Sequence, residues 1–203
     1  MRRAIFATLA LLLRTSIAGA QLGELQFGVL AGYAEKESHH AGVGLTFAVV
    51  PGRVTYLGLR YVHYAGGTVR REDVKTGTDY NVETRARLIA ADLGFQFPVG
   101  RFELVLGSSL GVTAFRQEVR QVMGTTLGSP HVGDAWEFTA APGATLFIRA
   151  GRFLIAPEFQ WMFAGSPDIE YIELGMFTPH VASSGPHLSL RFVVPFEIDR
   201  IRQ

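Results

Sequence analysis

Apolar residues alternate with polar or small ones along most of the chain. The first alternating run covers residues 24–33, where its apolar face is Leu25, Phe27, Val29, Ala31 and Tyr33. A period of two is that of a β-strand, because successive side chains point to opposite faces. Seven further runs of this kind lie near residues 42–49, 56–61, 89–97, 102–113, 136–149, 153–163 and 187–196. The pattern therefore predicts eight strands, each about as long as a tilted strand that crosses a bilayer.

The connections between these runs alternate in length. Three are tight and carry a Gly-Arg pair, at residues 51–53, 99–101 and 150–152. The others, near residues 36–41, 68–82, 121–135 and 165–185, are longer and mostly polar. Short turns at one rim and long loops at the other are typical of membrane barrels. We therefore predict an all-β fold: a single antiparallel, up-and-down transmembrane β-barrel of about eight strands.

A soluble sandwich or lipocalin-like barrel is the alternative to this fold. Soluble barrels also alternate, but their apolar face points inward and their outer face is rich in charged residues. Here the polar face carries Gly, Ala, Ser and isolated charges, which are too few to coat a soluble surface. Aromatic residues also cluster near the strand ends, as interfacial girdles do. The pattern favours the membrane barrel.

The first twenty residues have the layout of a secretory signal peptide. Arg2 and Arg3 precede the apolar segment 4–13, and the small residues 18–20 form a cleavage site. We expect residues 1–20 to be removed and residues 21–203 to form one barrel domain with a short tail at 197–203. The alternative is an uncleaved amphipathic anchor helix, because Arg14 interrupts the leader.

Composition excludes several kinds of function. The net charge of +1 includes three leader arginines, so the mature part has 16 basic against 18 acidic residues and a net charge of −2. A nucleic-acid binder would show a concentrated basic face, so we expect no nucleic-acid partner. There is no cysteine, which rules out disulfides and thiol chemistry. No motif indicates a cofactor, and His39 and His40, adjacent in the first loop, point opposite ways and are unsuited to share a metal.

Four charged residues fall on the inward face at similar height. They are Arg60, Asp92, Glu158 and Arg191, with Ser109 and Gln160 nearby. An eight-stranded barrel is only wide enough for side chains to fill it, so unpaired charges there would be very costly. We predict that the four residues form an interior charge network. This network is either a structural polar core or the gate of a narrow ion path.

Arginines gather near the loop side of runs three to five. We expect several to face outward at headgroup height, where a guanidinium can bind phosphate bidentately. The candidates for contacts with lipopolysaccharide phosphate are Arg85, Arg87, Arg116 and Arg120. Alternatively, the arginines of this rim pair in solvent with Glu72, Asp73, Glu83 and Glu118.

The alternation, turns and girdles resemble those of the small outer-membrane β-barrel superfamily, which includes the transmembrane domain of outer membrane protein A and the outer membrane protein X type. The resemblance covers nearly the whole mature chain. It implies export to the outer membrane of a Gram-negative-type bacterium, with membrane lipid and the barrel-insertion machinery as partners and a monomeric state. Phe192, Val194 and Phe196 resemble the C-terminal insertion signal, although residues 197–203 follow them.

The predicted function is a structural or surface-interaction role with a plugged interior. A narrow gated channel is the first alternative. A hydrolase is the second, because His187 and Ser189 have the His-x-Ser spacing of lipid A deacylases. Alternation turns both residues inward, away from lipid, and the surrounding deacylase signature is absent, so we expect no enzyme. The last long loop, 165–185, is unusually apolar and is expected to cover the barrel mouth or to bind a protein.

Overall fold

A computed structural model describes residues 22–51, 54–123, 125–167, 169, 171, 174, 178, 179 and 182–197. The predicted signal peptide and the tail beyond Glu197 lie outside these residues. The described part of the chain contains no helix that is long and apolar enough to cross a membrane. Its strands are β1 (Leu22–Ala34), β2 (His40–Pro51), β3 (Thr55–Asp73), β4 (Thr78–Val99), β5 (Phe102–Met123), β6 (Thr126–Leu127), β7 (His131–Ala150), β8 (Phe153–Ala164) and β9 (Gly185–Glu197).

Eight long antiparallel strands form a closed ring. Each pairs with its neighbour in sequence, and β1 also pairs with β9 from Glu24↔Glu197 to Ala34↔His187. The two-residue β6 pairs only with the end of β5. Closure satisfies the backbone hydrogen bonds that an open sheet would leave at its edges. The predicted fold class is confirmed.

The tight turns are built on glycine. Gly100 and Gly151 have φ of 64° and 66°, and each begins a two-residue connection between paired strands. This backbone region suits glycine because it has no Cβ. The two turns lie at the same end of the barrel, where β4 and β7 end and β5 and β8 begin. The predicted short-turn rim is therefore correct for both.

Two of the predicted long loops are wrong. Residues 68–82 are mostly strand, because β3 continues to Asp73 and β4 starts at Thr78. Residues 121–135 likewise contain the end of β5, the short β6 and the start of β7. These segments are polar on one face and pair through backbone hydrogen bonds, so their polarity marked a strand outside the apolar band and not a loop. Tall hairpins project beyond the rest of the barrel.

The outer surface of the barrel is apolar in its middle. On β4 the outward side chains from Ile89 to Phe97 are apolar, and Phe95 is 61% exposed. Ten residue steps, from Ile89 to Val99, rise about 25 Å along the barrel axis at the usual strand tilt, which matches the apolar band of membrane barrels. The inward side chains include charged ones. This distribution is the reverse of that in a soluble barrel.

Inside the barrel, buried side chains form layers. An apolar layer near the short turns contains Tyr56, Val105, Phe147, Leu154 and Val193. A second layer nearer the loops contains Val62, Tyr64, Leu88, Phe115 and Met162. A third, at the tall hairpins, consists of Tyr80, Val82, Val119 and Tyr171. The charged residues lie between the first and second layers.

Candidate functional site

Arg60 is the centre of the interior charge cluster, which we define as Arg60, Asp92, Glu158 and Arg191. It lies on β3, and its side chain is 1% exposed. Nε and Nη2 donate to Asp92 Oδ1 and Oδ2 over 2.7 and 2.8 Å. Nη1 donates to Glu158 Oε1 and Gln160 Oε1, both over 2.8 Å. One guanidinium therefore joins β3 to β4 and to β8 across the barrel.

Arg191, on β9, balances the charge of the second carboxylate, Glu158. It forms an ion pair with Glu158, and its Nη1 lies 3.6 Å from Asp92 Oδ2. The same nitrogen donates to the hydroxyl of Tyr56 over 3.1 Å. Two cations and two carboxylates thus meet with zero net charge, which is the arrangement that makes buried charges tolerable.

Hydroxyl and amide groups complete the shell around the carboxylates. Ser109 donates to Asp92 over 2.7 Å, and Thr145 donates to Glu158 over 3.0 Å. Gln160 donates to Ser109 Oγ over 2.7 Å, and Ser189 donates to Glu158 over 3.3 Å. The side chains of this shell and of the cluster come from six of the eight long strands. The cluster braces the barrel from inside.

A small cavity adjoins the cluster. Its volume is about 20 Å³, and its lining includes Tyr56, Arg60, Asp92 and Arg191. That is room for about one water molecule. Sequence reasoning found the four charges and named Ser109 and Gln160, but it did not find Tyr56. The only available signal was that Tyr56 and Arg60 lie on the same face of one strand.

His187 and Ser189 have different partners. Both are buried and face inward. Ser189 Oγ donates to Glu158, whereas His187 Nε2 lies 3.5 Å from the hydroxyl of Tyr64. A nucleophile needs its base within hydrogen-bond reach and access to substrate. The geometry gives Ser189 a carboxylate as its acceptor, within the interior shell and away from the outer surface.

The four predicted phosphate-binding arginines divide into two groups. Arg85 pairs with Glu83 at 2.7 Å, and Arg120 pairs with Glu118. Arg87 and Arg116 are exposed on the outer surface and form no ion pair among the described residues. Of the expected acidic partners of this rim, Glu83 and Glu118 do pair with arginine. Elsewhere on the rim Arg70 pairs with Asp79 and Arg71 with Glu37.

Arg87 and Arg116 lie at the upper edge of the apolar band. Ile89 is the apolar outward residue of β4 that lies nearest the loops. Arg87 is the next outward residue beyond it on the loop side. Arg116 is the register partner of Arg85 and is next to Asp134 on the other side. Trp136, 68% exposed, lies in the same row as Arg87 across β5. Cations beside an aromatic residue at this height are typical of a headgroup boundary.

His39 is buried, which the sequence did not predict. Its ring packs edge-on against Tyr64 at 4.6 Å and near Phe115 at 5.8 Å between centroids. Ser38 Oγ lies 2.7 Å from its Nδ1, and burial together with the nearby His187 and His40 lowers the pKa of His39 to about 3. The first loop therefore closes onto the apolar layer below it. No described group of three His, Asp or Glu residues could hold a metal ion.

The last long loop packs into the barrel mouth where it is described. Tyr171 is buried among Tyr80, Val82 and Val119, with Ile169 and Leu174 packed against them. The hydroxyl of Tyr171 donates to the backbone carbonyl of Gln117 over 3.4 Å, and burial raises its pKa to about 12. These contacts favour the lid over the protein-binding alternative.

Comparison with known proteins identifies the fold. No protein-family model and no curated protein matches the sequence. A major outer membrane protein of Thermus thermophilus is similar in structure, with a TM-score of 0.61 and 10% identity over 85% of this chain and 99% of that one. Ail of Yersinia pestis, crystallised with sucrose octasulfate, has a TM-score of 0.49 and 10% identity over 86% of this chain and 99% of that one. The N-terminal barrel domain of Pseudomonas aeruginosa OprF has a TM-score of 0.45 and 11% identity over 86% of this chain and 98% of that one.

At this level of identity the similarity concerns the fold alone. Of these three proteins, the Thermus protein supports it, because its TM-score is above 0.5. The fold of the Thermus protein agrees with the closed antiparallel ring found above. The chain has the fold of the small eight-stranded outer-membrane β-barrels.

Proposed function

We propose that this chain is a bacterial outer-membrane barrel with a plugged interior, whose tall hairpins act at the cell surface. The observation that carries the proposal is the position of the interior charge cluster between two apolar layers. Water that entered from the loops would meet Tyr64, Phe115 and Met162 before it reached Arg60. From the turn side it would meet Phe147, Leu154 and Val193. Filled layers of this kind favour a structural role over a conducting one.

Conductance in a planar bilayer tests the plug. The refolded wild-type chain is expected to give no stepwise current above the bare bilayer. Arg60→Ala removes the central cation but leaves the apolar layers, so it is expected to stay closed as well. Steady single-channel currents from the wild type that change in Arg60→Ala would overturn the plug in favour of the narrow gated channel. Arg70→Ala, at an exposed rim pair, is the matched control.

A second role, binding of lipid phosphate, is favoured by Arg87 and Arg116, which form no ion pair with any described residue. Both are exposed at the edge of the apolar band, and Arg85 is the register neighbour of Arg116. Guanidinium groups at that height can bind the phosphates of a glycolipid headgroup through charge-assisted hydrogen bonds. Arg85 and Arg120 contribute less in this proposal, because each already pairs with a glutamate, Glu83 and Glu118.

Thermal stability in phosphorylated and dephosphorylated glycolipid tests this role. Phosphorylated lipid is expected to raise the melting temperature of the wild type but not of Arg87→Gln/Arg116→Gln. Arg70→Gln/Arg71→Gln, which removes two paired arginines outside the proposed site, should keep the effect. An equal rise in all three proteins would contradict the assignment. An enzymatic role has weaker support, since Ser189 is held by Glu158 inside the barrel.

A further inference from the structure

The seam between β7 and β8 is interrupted. Its residues pair in three separate groups, with pairs absent between them. The groups are Thr139↔Ala164 and Ala140↔Phe163, then Gly143↔Gln160 to Thr145↔Glu158, then Ile148↔Ile155 to Ala150↔Phe153. The register is the same in all three groups, so the gaps are not shifts of one strand along the other.

A proline explains each gap. The constant register places Pro142 opposite Trp161 and Pro157 opposite Leu146, and neither pair forms. Proline has no backbone N–H, so it cannot donate to the carbonyl across the seam. On their other sides both prolines pair in register, Pro142 with Ser108 and Pro157 with Leu190. The missing donors of two facing strands are therefore directed into one seam.

The other described seams are continuous through the apolar band. The β4–β5 pairs run without a break from Tyr80↔Gln121 to Val99↔Phe102. The β3–β4 seam has one shift, between Tyr64 and Gly67, where Gly66 has φ of 68°. That bulge lies above the apolar band, near Arg85. The β7–β8 seam thus holds the fewest hydrogen bonds for its length in the region where no water can replace them.

The two sides of this seam differ in chemistry. Outside, Ala144, Leu146, Pro157 and Phe159 line an apolar groove. Inside, Thr145, Glu158 and Gln160 belong to the polar shell around Arg60. A separation of β7 from β8 would join the membrane side of the wall directly to the polar interior.

We propose that the β7–β8 seam is a lateral gate, which opens transiently toward the membrane and gives lipid-side access to the interior charge cluster. This inference rests on the proposed membrane location. Loss of one backbone hydrogen bond changes an opening equilibrium about fivefold. Two lost hydrogen bonds in one seam raise its opening equilibrium about 25-fold over that of a continuous seam. Opening of this seam leaves the apolar layers toward both ends of the barrel in place.

Cysteine labelling tests the gate, because the chain has no native cysteine. Thr145→Cys places a thiol inside the barrel beside the gap, and Thr46→Cys places one inside at the continuous β2–β3 seam. The two threonines are 7% and 8% exposed, so they are matched in burial. We expect a membrane-soluble maleimide to label Thr145→Cys about 25-fold faster than Thr46→Cys, and a membrane-impermeant sulfonated maleimide to label neither.

Restoring a donor should slow the gate. Pro157→Ala in the Thr145→Cys background is expected to reduce labelling about fivefold. Pro98→Ala, at a proline whose pair with Glu103 is intact, should leave the rate unchanged. Equal rates for Thr145→Cys and Thr46→Cys would overturn the proposal, as would labelling of Thr145→Cys by the sulfonated reagent, since that shows access from water.

Two further measurements keep the result interpretable. Only protein that floats with lipid vesicles is labelled, so a failure of the membrane location appears at flotation and not as a labelling rate. If Thr145→Cys does not fold, hydrogen exchange of the wild type replaces it. Amides shared by β7 and β8 should then exchange faster than those shared by β4 and β5, and equal protection would overturn the gate.

Discussion

Arg60 and Asp92 are joined by two parallel hydrogen bonds inside the barrel, from Nε to Oδ1 and from Nη2 to Oδ2, over 2.7 and 2.8 Å. The pair is diagonal: Asp92 is the register partner of Gly58, two residues before Arg60. A Cβ at Gly58 would lie 3.2 Å from that of Asp92, so a larger residue there would crowd the carboxylate side chain. A bidentate pair of this kind fixes both geometry and charge.

Removing the cation of this pair should destabilise the barrel strongly. Arg60→Ala leaves Asp92 and Glu158 with only Arg191 to balance two buried carboxylates. We expect a loss of about 3–5 kcal/mol in the free energy of unfolding, measured by urea titration in lipid vesicles. Arg70→Ala, which breaks an exposed pair with Asp79, should change the stability far less, because solvent screens an exposed ion pair. Equal losses in the two variants would contradict a bracing role for the cluster.

Acid should weaken the first loop through His39. Its folded pKa, about 3, lies below the ordinary value of 6.5, so below pH 6.5 the unfolded chain binds a proton that the folded chain does not. The stabilisation is complete above pH 6.5 and is lost as the pH falls toward 3, by up to about 1.4 kcal/mol per pH unit. Unfolding free energies at about pH 7.5 and about pH 4.5, on either side of the ordinary value, measure the loss.

A variant isolates that effect. His39→Gln cannot titrate, so it should lose less stability than the wild type between the two pH values. His63→Gln, on the outer wall opposite Arg87, serves as the control and should behave as the wild type does. If His39→Gln keeps the full pH dependence, other groups are responsible.

The packing of the described part of the last loop in the barrel mouth should depend on Tyr171. Tyr171→Ala removes a buried ring from the layer of Tyr80, Val82 and Val119. We expect proteolysis within residues 165–184 to become at least about tenfold faster, because cleavage follows the population of the open loop. Thr178→Ala, at an exposed position of the same loop, should cleave at the wild-type rate. Unchanged cleavage of Tyr171→Ala would show that this contact does not hold the loop.

The two tryptophans should report the membrane directly. Trp136 and Trp161 are 68% and 46% exposed on the outer surface, near the loop edge of the apolar band. In vesicles, lipid brominated near the headgroup should quench their fluorescence more than lipid brominated near the chain ends. Stronger quenching by the deeper bromine would place the band at a different height. Strong quenching by a water-soluble quencher would contradict an embedded wall.

Alternation predicted the strands well because one face of each strand must be apolar along its whole membrane length. The same rule placed Arg60, Asp92, Glu158 and Arg191 inside, and the structure brings all four together. It failed above the apolar band, where β3 and β4 continue in water and backbone pairing no longer needs an apolar face. There polar residues of strands and loops look alike in the sequence.

Contacts between distant segments were also out of reach. The burial of His39 depends on Tyr64 and Phe115, which lie on two other strands. The choice of ion-pair partners at the rim depends on register, which places Asp79 diagonally opposite Arg70. The role of Pro142 and Pro157 likewise follows only when both are found to face the same seam. The pattern along one strand does not show which side chains of other strands it will contact.

Electrophoretic mobility of the mature chain tests the central claim, a closed barrel in a membrane, most directly. The chain refolded into vesicles is floated on a density gradient and run with and without heating. We predict that it floats with the lipid, that its circular dichroism is that of β-sheet, and that the unheated protein migrates at a different position from the heated one. A chain that stays soluble and monomeric without lipid or detergent, with one heat-independent band, would contradict the account and return the apolar face to the inside of a soluble barrel.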